Sequence, residues 1–388
     1  MIKSESYRGR EQTYIKHKLL AAYLERLFMI IGLFQPVIRY VDCFSGPWKE
    51  KDETLQDTSI GISLEIMKKC RDGIIKMGKT VSFQALFIEK DKAGFEKLKD
   101  HLIKIKSPGI ELSARQGDFF ELRDEILSWC GERDFAFFFI DPTGWKKVVE
   151  ISTLAPLLKR PNSEFLINFM YDFLLRTHTQ DSFQEDMREI FGETPKTMDM
   201  TSKQREKFLI DLYRSRLKQI APSIGGKPRV AHVPILYPLR DRSFYHLVYL
   251  TRHPRGIVVF MEESEKLDFV QRQVREQAKK NNRERKTGQL EFSFYNDVNP
   301  ETQVDLKDVK AYWLSKLSLQ PRSFGIKQLA DMIEETGWFE SDFQTAFKEL
   351  TEDGVVANLD DKTNRRRKRF VHFDAAHSSG EQLMRLQS

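Results

Sequence analysis

Four segments of the chain place a carboxylate at the end of an expected strand, in three of them directly after apolar residues and in one after Gln116-Gly117: Val41-Asp42-Cys43-Phe44-Ser45-Gly46-Pro47, Phe87-Ile88-Glu89-Lys90-Asp91, Gln116-Gly117-Asp118-Phe119 and Phe139-Ile140-Asp141-Pro142-Thr143-Gly144-Trp145. Ligands of doubly wound sheets bind at the carboxyl ends of the strands, so acids placed there face the ligand. Gly46 lets the backbone of the first turn come close to a cofactor. Glu89 is placed to accept hydrogen bonds from both ribose hydroxyls of a nucleoside. Asp118 can meet an adenine amino group, with Phe119 against the ring. Asp141 and the Pro142 carbonyl can accept hydrogen bonds from an exocyclic amino group, which aligns its nitrogen lone pair with an electrophile. Any one of these acids alone reads as a helix cap or a solvated strand end. Their recurrence at successive strand ends reads as a ligand site.

The elements that position these acids follow from hydrophobic periodicity. Apolar side chains recur at helical spacing from Glu11 to Gly32, which predicts an amphipathic helix with Gly32 as its C-cap. Strands are expected near Val37–Asp42, Ser82–Glu89, Ile110–Arg115, Phe135–Ile140 and Glu164–Phe169. Helices are expected between them, around Ser59–Met77, Lys92–Lys106, Phe119–Cys130 and Ile151–Lys159. This alternation predicts an α/β fold, a doubly wound and mostly parallel sheet covered on both faces, in which Phe135–Ile140 suits a central strand. Two further helices, roughly Asp181–Phe191 and Ser202–Ile220, precede two runs, Arg229–Tyr237 and Phe244–Leu250, that read as a hairpin adding an antiparallel strand at the sheet edge. A helix from Pro254 to Lys280 closes this domain, residues 1–280.

Residues 281–300 read as a polar linker. Residues 301–375 then change pattern to three short helices (Val309–Leu317, Ile326–Thr336 ended by Gly337, and Ser341–Asp353 with Ser341 as N-cap) and two strands, Val355–Leu359 and Arg369–Phe373, leaving 376–388 as a tail. Three helices and a basic hairpin predict a winged helix-turn-helix domain. Its third helix is acidic (Glu340, Asp342, Glu349, Glu352, Asp353), so the wing is the better candidate for phosphate contact.

The chain has 388 residues with 40% hydrophobic and 31% charged residues, a composition that excludes a disordered chain. Apolar runs such as Phe135–Ile140 fall far short of the roughly 20 residues of a membrane helix. No secretory signal is legible at the N-terminus, so a cytoplasmic location is expected. Cys43, Cys70 and Cys130 are scattered and lack His partners at metal-ligand spacing, which predicts reduced, mostly buried thiols and no metal site. The net charge of +6 is concentrated. Residues 271–287 hold seven basic residues (Arg272, Arg275, Lys279, Lys280, Arg283, Arg285, Lys286) against two acids, and residues 362–369 hold six (Lys362, Arg365, Arg366, Arg367, Lys368, Arg369) against none. The rest of the chain is net acidic. Concentrated basicity is the footprint of a phosphate-backbone binder.

The order of these features resembles class I S-adenosylmethionine-dependent methyltransferases, and Asp141-Pro142-Thr143-Gly144 resembles the Asp-Pro-Pro-Tyr motif of enzymes that methylate amino groups of nucleic acids. More narrowly, residues 10 to 280, with the blocks Asp42–Pro47, Phe87–Asp91, Phe139–Gly144 and Leu166–Phe169, resemble the bacterial three-Cys-motif partner proteins. That resemblance implies cofactor contacts at Asp42, Phe44, Gly46, Glu89 and Asp118, substrate positioning at Asp141 and Pro142, and a partner encoded beside it that carries the three cysteines. The chain departs from the pattern twice. Trp48 stands where many methyltransferases have glycine, and Gly144 replaces the aromatic that stacks on a flipped base, leaving Trp145 or Phe169 for that role.

The expected function is therefore S-adenosylmethionine-dependent methylation of an amino group on a nucleic-acid base, DNA or RNA, with Asp141, Pro142 and Trp145 at the acceptor. Trp48 and Gly144 favour the alternative, a non-catalytic methyltransferase-like scaffold that recruits nucleic acid or protein through the winged domain. A metal-dependent phosphodiesterase using Asp42, Glu89 and Asp141 is a third possibility that no acid-rich motif at metal-ligand spacing supports.

Overall fold

The computed structural model describes residues 7, 10–46, 58–105, 108–142, 149–172, 174, 184–197, 199–287, 304–361 and 370–386. The chain divides into two units, Met1–His253 with Leu267–Gly288, and Pro254–Lys266 with Gln289–Ser388. Among the described residues no helix is long and apolar enough to cross a membrane.

In the first unit, helices α1 (Glu11–Ile31), α2 (Ser59–Lys76), α3 (Lys92–Lys104), α4 (Arg123–Cys130) and α5 (Ile151–Leu158) alternate with strands β1 (Val37–Asp42), β2 (Ser82–Glu89), β3 (Ile110–Gln116), β4 (Phe135–Ile140) and β5 (Ser163–Phe169). Helices α6 (Gln184–Phe191) and α7 (Ser202–Ile220) lead to β6 (Arg229–Leu236) and β7 (Ser243–Thr251). The sheet order is β3-β2-β1-β4-β5-β7-β6. Strands β1 to β5 are mutually parallel, and β7 is antiparallel to both β5 and β6. A mostly parallel seven-stranded sheet in this order, flanked by helices, fits a class I methyltransferase-like α/β fold. Strands β4 and β5 are buried along their whole length, which is why β4 reads as an unbroken apolar run rather than an alternation, while Glu164 and Asn168 of β5 are buried with hydrogen-bond partners.

The hairpin fills one edge of the sheet as expected, with β7 antiparallel beside β5, and β6, running with β1 to β5, is outermost. Buried Val248 and Leu250 join the main core and leave the outer place to β6, whose buried positions largely alternate.

Helix α1 is seated by a buried polar knot. Tyr23 donates to Glu164 of β5 at 2.8 Å, its hydroxyl pairs with that of Tyr249 of β7, and Thr251 donates to Glu164 at 2.7 Å. Lys16 lies seven residues before Tyr23, two turns away on the same helix face, so the knot also fixes where Lys16 reaches. The three cysteines are buried free thiols. Burial pushes Cys70 up to about 12 and Cys130 up to about 11, so both are protonated and unreactive at neutral pH.

A single helix, α8 (Pro254–Thr287), contributes Pro254–Lys266 to the second unit and Leu267–Thr287 to the first. It runs seven residues into the expected linker, because no glycine or proline occurs between Lys280 and Gly288 and Lys280 faces Glu284 one turn on at 3.8 Å.

The second unit contains α9 (Leu306–Lys316), β8 (Arg322–Phe324), α10 (Ile326–Thr336), α11 (Glu340–Glu352), β9 (Val356–Asn358), α12 (Ala375–Ser378) and β10 (Glu381–Arg385). Fully buried Trp313 centres its core, with Phe324, Phe347 and Phe373 around its ring and its indole N–H donating to the Phe343 carbonyl at 2.9 Å. Two expectations are corrected. Ser341 is not the N-cap: α11 starts one residue earlier, after Phe339, whose N–H donates to Asp342 at 2.9 Å, and Ser341 instead hydrogen-bonds Glu265. The described residues 370–373 form no strand. β9 pairs with β10, which also pairs with β8 and lies in the expected tail. Gly380 makes that return: its φ is +79° and an added Cβ would collide with the Phe324 backbone.

Candidate nucleoside-binding and acceptor site

The acids singled out from the sequence stand side by side at one end of the sheet. In the order β3-β2-β1-β4, the strand ends bring Asp118, Glu89, Asp42 and Asp141 into a row that spans three strand spacings, about 14 Å. The row is stitched by backbone hydrogen bonds: Gly117 N–H to Glu89 O at 3.0 Å, Ser45 N–H to Ile88 O at 2.8 Å, and Cys43 N–H to Phe139 O at 3.0 Å. The chain reverses its winding between β1 and β4, so Asp42 and Asp141 flank the switch point where α/β sheets open a crevice.

Asp42 is fully buried. It accepts hydrogen bonds from Ser59 Oγ at 2.6 Å and Phe44 N–H at 3.2 Å. Burial nevertheless pushes its carboxyl up to about 6, against those two hydrogen bonds; nearby Asp141 raises it further and Lys16 lowers it. A buried acid that holds its proton more tightly when folded contributes stability below its unfolded pKa, and that contribution is lost as pH rises through the folded value. Replacing it with an uncharged isostere should therefore help more at high pH. Denaturant melts of Asp42→Asn and wild type are expected to diverge between pH 4 and pH 8 by up to about 3 kcal/mol in the variant's favour. A difference that does not change over that range contradicts a buried, proton-holding Asp42.

Glu89 Oε1 accepts from Asp91 N–H at 2.8 Å, while Oε2 lies so close to Gly46 that an added Cβ there would overlap it. The backbone of the first turn thus comes right against the β2 carboxylate, and only glycine permits it. Phe44 packs against Phe119 with ring centroids 5.2 Å apart. Phe119 is 2% exposed and belongs to the hydrophobic core, so its ring is taken up by packing. The neighbouring Phe120 is the exposed aromatic, with the Arg123 guanidinium 4.0 Å from its centroid. Asp118 accepts from Phe120 N–H at 2.9 Å and pairs with exposed Lys90 at 2.7 Å.

Asp141 is bound on both oxygens. Lys16 of α1 forms an ion pair with Oδ2, and Asn168 at the end of β5 donates to Oδ1 at 2.7 Å. Each oxygen keeps a second lone pair for an incoming donor. The Lys16 ammonium also lies 5.8 Å from the Tyr245 ring, and Tyr245 is tied to α1 through a 2.7 Å hydrogen bond to the Gln12 carbonyl. Neither Lys16 nor Asn168 has a role in the sequence reading. A lysine on the apolar stripe of α1, among Ile15, Leu19, Leu20 and Tyr23, was the available signal.

Phe169 is corrected as a base-stacking residue: it is fully buried and stacks on Tyr213 at 4.3 Å. Pro142 is buried at the end of β4. Trp145, Trp48, Gly144 and Arg365, Arg366, Arg367, Lys368 and Arg369 lie outside the described residues. In the other basic window, Lys279 pairs with Glu276 at 3.2 Å and Asp241 at 3.9 Å, Lys280 with Glu284 at 3.8 Å, and Arg285 bonds Asn282 at 3.4 Å. Arg283, Arg285 and Lys286 occupy the last turns of α8, where cations also suit the helix dipole. Among the described residues no cluster of three or more His, Cys, Asp or Glu could hold a metal ion.

No family model and no curated protein matches the chain. Among solved structures it is similar to a Legionella pneumophila str. Philadelphia 1 protein of family model DUF519, at 10% identity and TM-score 0.37, over 66% of this chain and 91% of that one. It is also similar to loganic acid methyltransferase with SAH, at 12% identity and TM-score 0.25, over 87% of this chain and 88% of that one. Scores this low carry no inference about the chemistry of this chain.

Proposed function

We propose that the protein is an S-adenosylmethionine-dependent methyltransferase that modifies an amino group of a nucleic-acid base and acts with a partner bearing the three-cysteine motif. The observation that carries this reading is the row of carboxylates across β3-β2-β1-β4, with the Gly46 backbone pressed against Glu89 and Asp141 held beside the switch point. The residues fit the cofactor: Glu89 suits the ribose hydroxyls, Asp42 a cationic amino-acid tail, and Phe44, Gly46 and Asp118, with Phe119 behind Phe44, the remaining contacts. When bound, the cofactor supplies an electrophilic methyl group. Asp141 accepts a hydrogen bond from the acceptor amino group and turns its lone pair toward that methyl; the Pro142 carbonyl accepts from the second N–H, and Trp145 bears on the base. Lys16 and Asn168 are positioning residues that keep the Asp141 carboxylate in one orientation. The second unit serves as a winged helix-turn-helix domain, and the basic residues Lys279 to Lys286 and Arg365 to Arg369 hold the nucleic-acid backbone.

A second reading, a methyltransferase-like scaffold without catalysis, is favoured by one observation: both oxygens of Asp118 and of Asp141 already have an internal partner. Incubation with methyl-labelled cofactor and mixed DNA or RNA, with the genomically adjacent protein present and absent, separates the two. Label entering nucleic acid supports the enzyme. Cofactor binding with no transfer to DNA or RNA under either condition supports the scaffold.

A further inference from the structure

The β6-β7 turn stands at the same end of the sheet as the acids. β6 runs parallel to β5, and the hairpin continues past the Phe169–His246 pair that ends β5 to the Leu236–Ser243 pair, a projection of about 10 Å at three residues of strand. It rises two strand spacings from β4, roughly 10 Å from the strand that carries Asp141.

The turn is built rather than loose. Arg275 of α8 donates to the carbonyls of Tyr237 and Arg240, each at 3.0 Å, and pairs with Asp241. Arg242 pairs with buried Asp172 just after β5 at 2.7 Å and lies 4.9 Å from the Tyr237 ring centroid. These contacts neutralise Asp241 and Arg242 and fix the Tyr237 ring. Arg240 differs: it is exposed, sits 5.8 Å from the Tyr237 centroid, and has no acidic partner among the described residues. Beside it Leu239 is half exposed. An unneutralised guanidinium on an aromatic face, next to an exposed apolar side chain, is the chemistry that binds a phosphate and an unstacked base of a single strand.

We propose that the β6-β7 turn is the strand-holding lip of the acceptor site, with Arg240 taking a phosphate of single-stranded nucleic acid close to the acceptor base and Leu239 lying against the neighbouring base. The inference rests on the methyl-transfer reading and assigns its strand contact to residues outside both basic windows.

The test titrates a fluorescent single-stranded oligonucleotide, as DNA and as RNA, into the full chain over a range of salt, for wild type, Arg240→Gln and Arg240→Lys. S-adenosylhomocysteine affinity is measured in parallel. Wild-type affinity should fall with salt, and Arg240→Gln should bind several-fold more weakly, with a log-log slope smaller by about 0.7, the share of one phosphate on a single strand. Arg240→Lys should restore the slope, and nucleoside affinity should be equal in all three. An unchanged slope in Arg240→Gln overturns the lip while leaving the methyltransferase reading intact. Nucleoside binding without oligonucleotide binding by wild type overturns both the lip and the choice of nucleic acid as substrate. Oligonucleotide binding that shifts as expected without nucleoside binding upholds the lip and overturns the cofactor.

Discussion

Asp141→Ala should reduce methyl transfer about 10²-fold or more while leaving S-adenosylhomocysteine affinity within a few-fold of wild type. The expectation follows from the proposed role of a carboxylate at the end of β4, held by Lys16 and Asn168, which assigns it to the acceptor and not to the nucleoside. The substitution also strands Lys16, whose side chain is 11% exposed, and an ammonium left without its counter-ion inside a protein is destabilising. A folding defect and a catalytic defect are separated by adding Lys16→Met. The double variant should regain the melting temperature lost by Asp141→Ala and none of its activity. Recovery of transfer in the double variant would show that Asp141 acts only as a structural counter-ion.

Arg160→Ala should destabilise the first unit by about 3–5 kcal/mol without touching the ligand site. The Arg160 side chain is buried at the amino end of the sheet, opposite the acids, and has carbonyls rather than a carboxylate as partners. It donates to Cys130 at 2.9 Å, Gly131 at 2.8 Å, Asp134 at 2.6 Å, Pro161 and Asn162 at 3.2 Å each, and Ser163 Oγ at 2.7 Å. Burial lowers its pKa, but a guanidinium stays charged at any working pH. Truncation leaves several buried carbonyls without donors and opens a cavity. The apparent melting temperature should drop on the order of 10 °C, and Arg160→Lys, which cannot span that fork of acceptors, should fall between the two. A shift below about 2 °C in the alanine variant would mean that the carbonyls find other donors.

The parallel core of the sheet was legible because β1, β4 and β5 are short, largely apolar runs, and Asp42 and Asp141 break the pattern abruptly at the ends of β1 and β4. Pairing was less legible. Nothing local in Ser243–Thr251 says that it lies between β5 and β6, since that depends on which sheet edge is free once five strands have assembled. The strand Glu381–Arg385 was read as tail because only Glu381 and Leu383 of it are buried, too few to stand out from a polar terminus. Phe119 and Phe169 show a related ambiguity: an aromatic at a strand end looks the same in sequence whether it faces ligand or core, and both face the core. Lys16 and Asn168 are 152 residues apart in sequence and meet only through Asp141. Their pairing with it is a tertiary fact, although a lysine on an apolar helix stripe was a usable hint.

The most direct measurement of the central claim is a calorimetric titration of S-adenosylhomocysteine into wild type and Gly46→Ala. The new methyl group would displace the Glu89 carboxylate, the end of a flexible side chain, so the fold should hardly notice. A nucleoside that relies on that carboxylate loses charge-assisted hydrogen bonds, equivalent to tenfold or more in affinity. The expected result is one site per chain in wild type and at least tenfold weaker binding in Gly46→Ala, with melting temperatures within about 2 °C of each other. Equal affinities, or no binding by wild type at millimolar nucleoside, would contradict a cradle at the ends of β1 and β2.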